Sequence, residues 1–281
     1  MNNSIWHVIG RNRFLNRKFR NFQPKTLELS LAPNTKLYVD PKDLYGPSFY
    51  AMYGRDAAFY HYEEDVKAEI LEHLQMGGVF FDVGANIGLI SLFISRFRKD
   101  VQIFAFEPSQ VTSMALESSV LKNGINNLHV VKKGVSDSSQ DNVTFFIDSK
   151  SSGGNSLLKS AISHEVNQSD SISLVSLDDF IATSKKIPSV VKVDVQDAEA
   201  MVIAGAKNLI KTHAPTFIIE TNNELFLKNP KVFLESFENY FVKKVGTKKP
   251  VSIGQFPDLA RDYLSKGEKV LDYVFSKHFS T

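Results

Sequence analysis

The chain has no cysteine. That absence removes disulfides, thiolate catalysis and cysteine-ligated zinc together, and it accords with a reducing cytoplasm. Long apolar runs are missing as well. No stretch approaches the ~20 residues that a membrane span needs, and the N-terminus lacks the continuous apolar block of a secretion signal. Net charge is scarce, at +2 over 281 residues, so the chain carries no broad positive field to draw nucleic acid. No His/Asp/Glu spacing marks a dedicated metal site, and none is expected. What is left is an ordinary globular composition, 43% hydrophobic and 23% charged, near the upper size of one α/β domain. The expectation is a cytoplasmic enzyme.

The informative residues fall in two short stretches. Val79-Phe80-Phe81-Asp82-Val83-Gly84-Ala85-Asn86-Ile87-Gly88 reads as a buried strand running into a glycine turn and a helix. Phe104-Ala105-Phe106-Glu107-Pro108 reads as the next buried strand, ending on an acid. In doubly wound sheets such pieces bind an adenine nucleoside: the glycine turn admits the ligand and the acid bonds the ribose hydroxyls. A dinucleotide site would read G-x-G-x-x-G, with a pyrophosphate on a helix N-terminus. Here Asp82 precedes Gly84 by two residues, and a carboxylate there repels pyrophosphate but suits a sulfonium and an ammonium. The reading is therefore S-adenosylmethionine. Asp82 is expected near its methionine end, with Gly84, Ala85, Asn86 and Gly88 supplying the surrounding backbone. Glu107 is expected on the ribose. Pro108 and Ser109 open a helix that Glu107 also caps in this reading. The third strand end, Gly134-Val135-Ser136, is expected to face the adenine through Val135 and Ser136.

Strands alternate with crossover helices from Val79 onward, which implies a Rossmann-like α/β fold with a mostly parallel central sheet and helices on both faces. Residues 1–60 read as an N-terminal accessory segment and 61–281 as the main domain. Residues 148–171, rich in serine with Gly153-Gly154, read as a mobile excursion. Gly134-Val135 is expected to continue the third strand, and one helix is expected to carry Val202, Ile203, Leu209 and Ile210. Arg11, Arg13, Arg17, Lys18 and Arg20 precede the first acid, Glu28, and alternate with aromatic and aliphatic residues. Such a segment lies on an anionic membrane surface or docks its apolar side on the domain; docking is the reading preferred here.

Asp82–Gly88, Phe106-Glu107-Pro108, the block Val193-Asp194-Val195-Gln196-Asp197-Ala198-Glu199 and Pro215–Glu220 together resemble the FkbM-type methyltransferases. Gly153-Gly154-Asn155-Ser156-Leu157 is similar to a further family feature. The resemblance spans roughly residues 60–275. It implies S-adenosylmethionine-dependent methylation, most often of sugar or polyketide hydroxyls, and hence a small-molecule or glycan acceptor. The family pattern around Asp194 is Asp-Val-Glu-Gly-Ala-Glu, so Gln196 stands in place of an acid and Asp197 in place of a glycine. If that acid is catalytic, Gln196 does not replace it as a base; if the glycine makes room for substrate, Asp197 narrows that space. The departure leaves a second reading open: a methyltransferase-like module that binds the donor and turns over weakly or not at all.

Open α/β sheets place ligands beyond the carboxyl ends of their strands. Asp194 is accordingly the first candidate for a base or acceptor anchor and Glu220 the second. His61, beside Tyr60 and Tyr62, is a third candidate, closing over the site as a base near neutral pH.

Overall fold

The computed structural model describes residues 26–32, 35–54, 56–164 and 166–279. The basic segment around Arg11–Arg20 lies outside them. A ribbon of β1 (Leu27–Ala32) and β2 (Thr35–Val39) leads into α1 (Pro47–Gly54), α2 (Asp56–His61) and α3 (Glu64–His73). Alternation follows through β3 (Val79–Val83), α4 (Leu89–Phe97), β4 (Gln102–Phe106), α5 (Gln110–Lys122) and β5 (Leu128–Val131). Next come β6 (Gly134–Val135), β7 (Gln140–Asp148) and β8 (Val166–Val175), then α6 (Leu177–Ser184) and β9 (Val190–Val193). The chain continues through α7 (Glu199–Ala204), α8 (Lys207–His213), β10 (Thr216–Asn222), α9 (Asn223–Lys228) and α10 (Lys231–Ser236). It closes with β11 (Phe241–Lys244), β12 (Val251–Ser252), α11 (Phe256–Ser265) and β13 (Val270–Ser276).

The main sheet runs β12-β11-β13-β10-β9-β3-β4-β5. Strands β10, β9, β3, β4 and β5 are parallel, and β13 joins β10 antiparallel. Strand order reverses between β3 and β9, and a crevice opens beyond the carboxyl ends at such a switch point. The central strands are apolar on both faces because helices cover both. Phe80, Ile103, Ala105, Val190 and Ile218 pack with α3 and α4, while Phe81, Val83, Phe106, Val191, Val193 and Phe217 pack with α6, α7 and α8. Phe180 of α6 sets its ring edge against Phe81, Phe104 and Phe106 at centroid distances of 5.4, 5.6 and 4.9 Å. Each buried phenylalanine contributes about 1.5–3 kcal/mol of apolar transfer. This clamps the ends of β3 and β4 side by side, where the glycine turn and Glu107 emerge. No described helix is long and apolar enough to cross a membrane.

Three details differ from the sequence reading. Gly134-Val135 does not prolong β5 but pairs with β8 in a separate sheet of order β6-β8-β7. The last quarter of the stretch read as an excursion is strand: β8 begins at Val166 and pairs antiparallel with β7 back to Asp148. Its polar run Gln168-Ser169-Asp170-Ser171 is exposed, so that part of the strand lacks the apolar alternation by which strands are recognised. The expected single helix is broken at Gly205-Ala206 into α7 and α8. A Cβ on Gly205 would lie 2.1 Å from the Ser136 carbonyl oxygen, so the break lets the chain pass close beneath β6. Before β3, the β1–β2 ribbon docks on α5: Lys36 N–H donates to Asn123 Oδ1 and Tyr38 N–H to Ser119 Oγ, both at 2.8 Å.

Candidate active site

The turn between β3 and α4 is shaped by close approach. Gly84 has φ 85° and Gly88 φ 83°, in the left-handed region where side chains are strained. A Cβ on Gly84 would stand 1.8 Å from the Asp194 carbonyl oxygen, and one on Gly88 2.2 Å from Leu116 Cδ1. The N–H groups of Gly84 and Ala85 both donate to the Phe106 carbonyl at 3.0 Å, tying the turn to the end of β4. There the buried Glu107 closes the cradle. Its Oε2 accepts the Asn86 N–H at 2.8 Å, and its Oε1 accepts the Ser109 N–H at 2.9 Å and the Thr112 hydroxyl at 2.8 Å. Burial pushes the Glu107 carboxyl up to about 7, against the pull of those three hydrogen bonds.

Ionisable side chains continue across the strand ends. Asp82 is in register with Lys192, and Glu220 with Asp272. Lys192 Nζ lies 3.2 Å from Asp194 Oδ2 and 3.6 Å from Glu63 Oε2, with the lysine side chain 4% exposed. Burial disfavours this ammonium, but Asp194, Glu63, Asp82 and Asp272 outweigh it and hold its pKa well above the ordinary lysine value. Burial likewise opposes the charge on Asp194; Lys192 and the Gln196 amide prevail and keep its carboxyl below the usual aspartate value. Glu220 is driven the other way, up to about 10, by the charge of Asp194 and then by burial. Gln196 Nε2 donates to Asp194 Oδ1 at 2.8 Å and to Glu220 Oε2 at 3.1 Å. Asp82, raised by burial, accepts the Ser91 hydroxyl at 2.5 Å.

The carboxyls of Glu63, Asp82, Asp194 and Glu220 meet Lys192 in one cavity of about 400 Å³ at the switch point. Its outer wall comes from the segment before α1 and from the β7–β8 loop. Tyr45 stacks on His164 with centroids 5.3 Å apart and planes 7° apart, and His164 Nδ1 lies 2.9 Å from Asp148 Oδ2. Ser152 Oγ lies 2.7 Å from Asp43 Oδ2 and 3.2 Å from Asn86 Oδ1, joining this wall to the glycine turn. Tyr45 is 65% exposed and Tyr50 42%, and both line the cavity.

Asp82, Gly84, Ala85, Asn86, Glu107, Pro108, Val135, Asp194 and Glu220 all line this cavity. Three other sequence candidates are placed elsewhere. Gly88 serves the packing against Leu116. Ser136 is buried behind the strand end, its hydroxyl 3.3 Å from Asp137 Oδ1. His61 ends α2 with an exposed side chain paired to Glu64 at 2.7 Å. It lines a second cavity, on the far side of Glu63, so it does not face the place where the others converge. Asp197 is also absent from the cavity wall. It adopts φ 69° and accepts from Asn222 Nδ2 at 3.2 Å. The position is thus one where a glycine relieves the backbone, and the side chain there does not narrow the substrate space.

Sequence reasoning missed Lys192 and Glu63. A lysine in the otherwise apolar run Val190-Val191-Lys192-Val193 was the available signal, because a buried ammonium requires carboxylate partners.

The donor set suits S-adenosylmethionine. Glu107 Oε1 spends both lone pairs internally, whereas Oε2 takes one N–H and keeps a lone pair for a ribose hydroxyl. An acid at Asp82 suits the cationic methionine end. Pro108, Val135, Phe145, Leu157 and Ile172 give an apolar slot for adenine.

The structure of methyltransferase FkbM from Methylobacillus flagellatus KT is similar at 15% identity and TM-score 0.46, covering 96% of this chain and 60% of that one. The present chain thus spans less than two thirds of that relative. Precorrin-6y C5,15-methyltransferase from Geobacter metallireducens GS-15 is similar at 14% identity and TM-score 0.44, over 76% of this chain and 89% of that one. M. jannaschii TYW2, solved in complex with AdoMet, is similar at 9% identity and TM-score 0.41, over 91% and 88%. No curated protein matches the sequence. The sequence model of the methyltransferase FkbM domain matches residues 82–263, from the acid before the glycine turn to α11. The chain belongs to the FkbM methyltransferase family.

Proposed function

We propose that this S-adenosylmethionine-dependent methyltransferase methylates a hydroxyl of a sugar or other small metabolite, with Asp194 as the base. When bound, S-adenosylmethionine supplies an electrophilic methyl carbon on a sulfonium leaving group. The protein then has two tasks. It must hold the acceptor oxygen within about 3–3.5 Å of that carbon, and it must take the hydroxyl proton, a contribution of ~10²–10⁴-fold.

The observation that carries the proposal is the state of Asp194. Its carboxyl lines the cavity, its own carbonyl touches the glycine turn, and Lys192 with the Gln196 amide keeps it ionised. An anionic oxygen beside the donor turn is what a neutral hydroxyl acceptor needs. Glu220, held protonated next to it, is the companion acid. The exposed Tyr45 and Tyr50 in the cavity lining support a sugar or similar ring there. A cavity of about 400 Å³ and a net charge of +2 favour a small acceptor over nucleic acid. A cytoplasmic location is part of the same proposal, supported by the intracellular origin of the methyl donor.

The test is transfer of labelled methyl to a panel of glycosides and hydroxylated metabolites, for the natural protein and Asp194→Asn. The variant is expected to lose at least ~10²-fold in kcat and to keep its affinity for S-adenosylmethionine. Undiminished transfer ends the role of Asp194. Transfer confined to amine or carbon acceptors ends the hydroxyl assignment. Donor binding with no transfer to any acceptor favours a donor-binding module instead.

A further inference from the structure

We propose that Gln196 is a positioning residue: its amide nitrogen donates to Asp194 and Glu220 at once, holding the two carboxyls as a pair that carries one proton, with Asp194 ionised.

The geometry is specific to an amide. One NH₂ group has two hydrogens, and here each has a carboxyl partner, Asp194 Oδ1 at 2.8 Å and Glu220 Oε2 at 3.1 Å. The amide is fixed from its own backbone. Gln196 has φ 53°, and its carbonyl accepts the Ser156 hydroxyl at 2.7 Å, so the loop after β7 holds it from outside. A glutamate at this position, as in the family pattern, would replace the shared donor with a third acid.

The surrounding charges decide how many protons the pair holds. Acids act on it from three sides, Asp82 on β3, Asp272 on β13 and Glu199 on α7, and the Tyr62 phenol faces Asp194 from before α3. Lys192 is the one cation among these described neighbours. It reaches Asp194 at 3.2 Å and Glu63 at 3.6 Å, while Glu220 has no such ion pair. Two buried carboxylates sharing a site do not both ionise at neutral pH. The negative charge therefore settles on Asp194, beside the ammonium, and the proton on Glu220. Both are members of one coupled titration.

The role of the pair in transfer rests on Asp194 being the base. In that step the acceptor O–H bond breaks, its proton passes to Asp194, and its electron pair forms the bond to the methyl carbon. The C–S pair leaves with sulfur. The protonated Glu220 keeps Asp194 available for this by not competing for Lys192.

The pairing itself is tested without an acceptor. The full chain, labelled with ¹³C in aspartate and glutamate carboxyls, is titrated by NMR from pH 5 to 9. Asp194→Asn and Glu220→Gln assign the two signals. Asp194 is expected to stay ionised and Glu220 protonated at pH 7. In Gln196→Glu the Asp194 titration is expected to move up into the measured range; in Gln196→Leu it is expected to move less. Ionisation of both carboxyls at pH 7 in the natural chain overturns the proposal, as do variant curves that superimpose on the natural ones. If Gln196→Glu fails to fold, the natural chain and Gln196→Leu still decide. A normal pair together with an active Asp194→Asn would refute the base assignment and leave the positioning role standing.

Discussion

The carbonyl oxygen of Asp194 occupies the space where a side chain on Gly84 would begin, 1.8 Å from the ideal Cβ position. The end of β9 is thereby locked against the turn after β3, strands adjacent across the point where the sheet order reverses. Donor cradle and candidate base are one mechanical unit, so a change in the first must displace the second.

Gly84→Ala should expose that lock. The methyl group meets backbone oxygen, which has no rotamer to escape into, and φ 85° is unfavourable for alanine. Overpacking and positive-φ strain together predict a loss of about 2–4 kcal/mol. S-adenosylmethionine affinity should fall at least ~10-fold, since 1.4 kcal/mol of displaced binding geometry is enough for that. Urea unfolding and calorimetric titration check both numbers. An alanine variant with natural stability and affinity would show that the turn and β9 are independent.

Donor affinity should depend on pH through Glu107. Its carboxyl, raised to about 7 by burial, is half protonated near neutrality in the free protein, whereas a ribose hydroxyl donates to the ionised form. Affinity for S-adenosylmethionine should therefore weaken about tenfold as pH falls from 8 to 6. Glu107→Gln should flatten this dependence and bind weakly throughout. Calorimetry across that range is the measurement, and a flat profile in the natural chain would remove Glu107 from the donor site.

Thermal stability should fall as pH rises from about 6.5 to 8. Burial raises Glu107 and Asp272 to about 7 and Glu199 to about 8, and Asp194 with burial raises Glu220 to about 10. Each folded-state pKa exceeds the ordinary carboxyl value, so the folded protein holds protons that the unfolded chain has released. The slope is negative, about 1.4 kcal/mol per pH unit for each proton so held. His73, lowered by burial, adds stability with rising pH only below about 6.5, its ordinary value. Lys67, lowered to about 8 by burial, acts only above that pH. A melting midpoint drops by several degrees across the window; a midpoint that rises means these carboxyls ionise normally in the folded state.

Legibility in the sequence followed burial. The strands that came through clearly, β3, β4, β5 and β10, are apolar runs bounded by glycine or an acid, and the donor cradle sits at their ends. In the outer ribbon Val143–Ile147 and Ile172–Val175 read as strand, and only the first part of β8 was hidden, because Gln168–Ser171 is polar and exposed. Lys192 was passed over because a single charge in an apolar strand looks like noise until its partners are known. Asp194 follows it two residues later, but Glu63, Asp82 and Asp272 lie on three other segments, and only the register of β3, β9, β10 and β13 brings the strand residues to one place. Gln196 was legible as a departure from a pattern; that its amide spans two carboxyls was not, because the bridge depends on a left-handed backbone at Gln196 itself.

The hairpin of β7 and β8 has its own small apolar centre at Phe145, Ile172 and Leu174, apart from the two layers that cover the main sheet. It touches the chemistry through hydroxyls, Ser152 beside Asn86 and Ser156 on the Gln196 carbonyl. The wall of the cavity therefore rests on an apolar centre of its own, so a substitution in the loop between these two strands reshapes the wall without unpacking the main sheet.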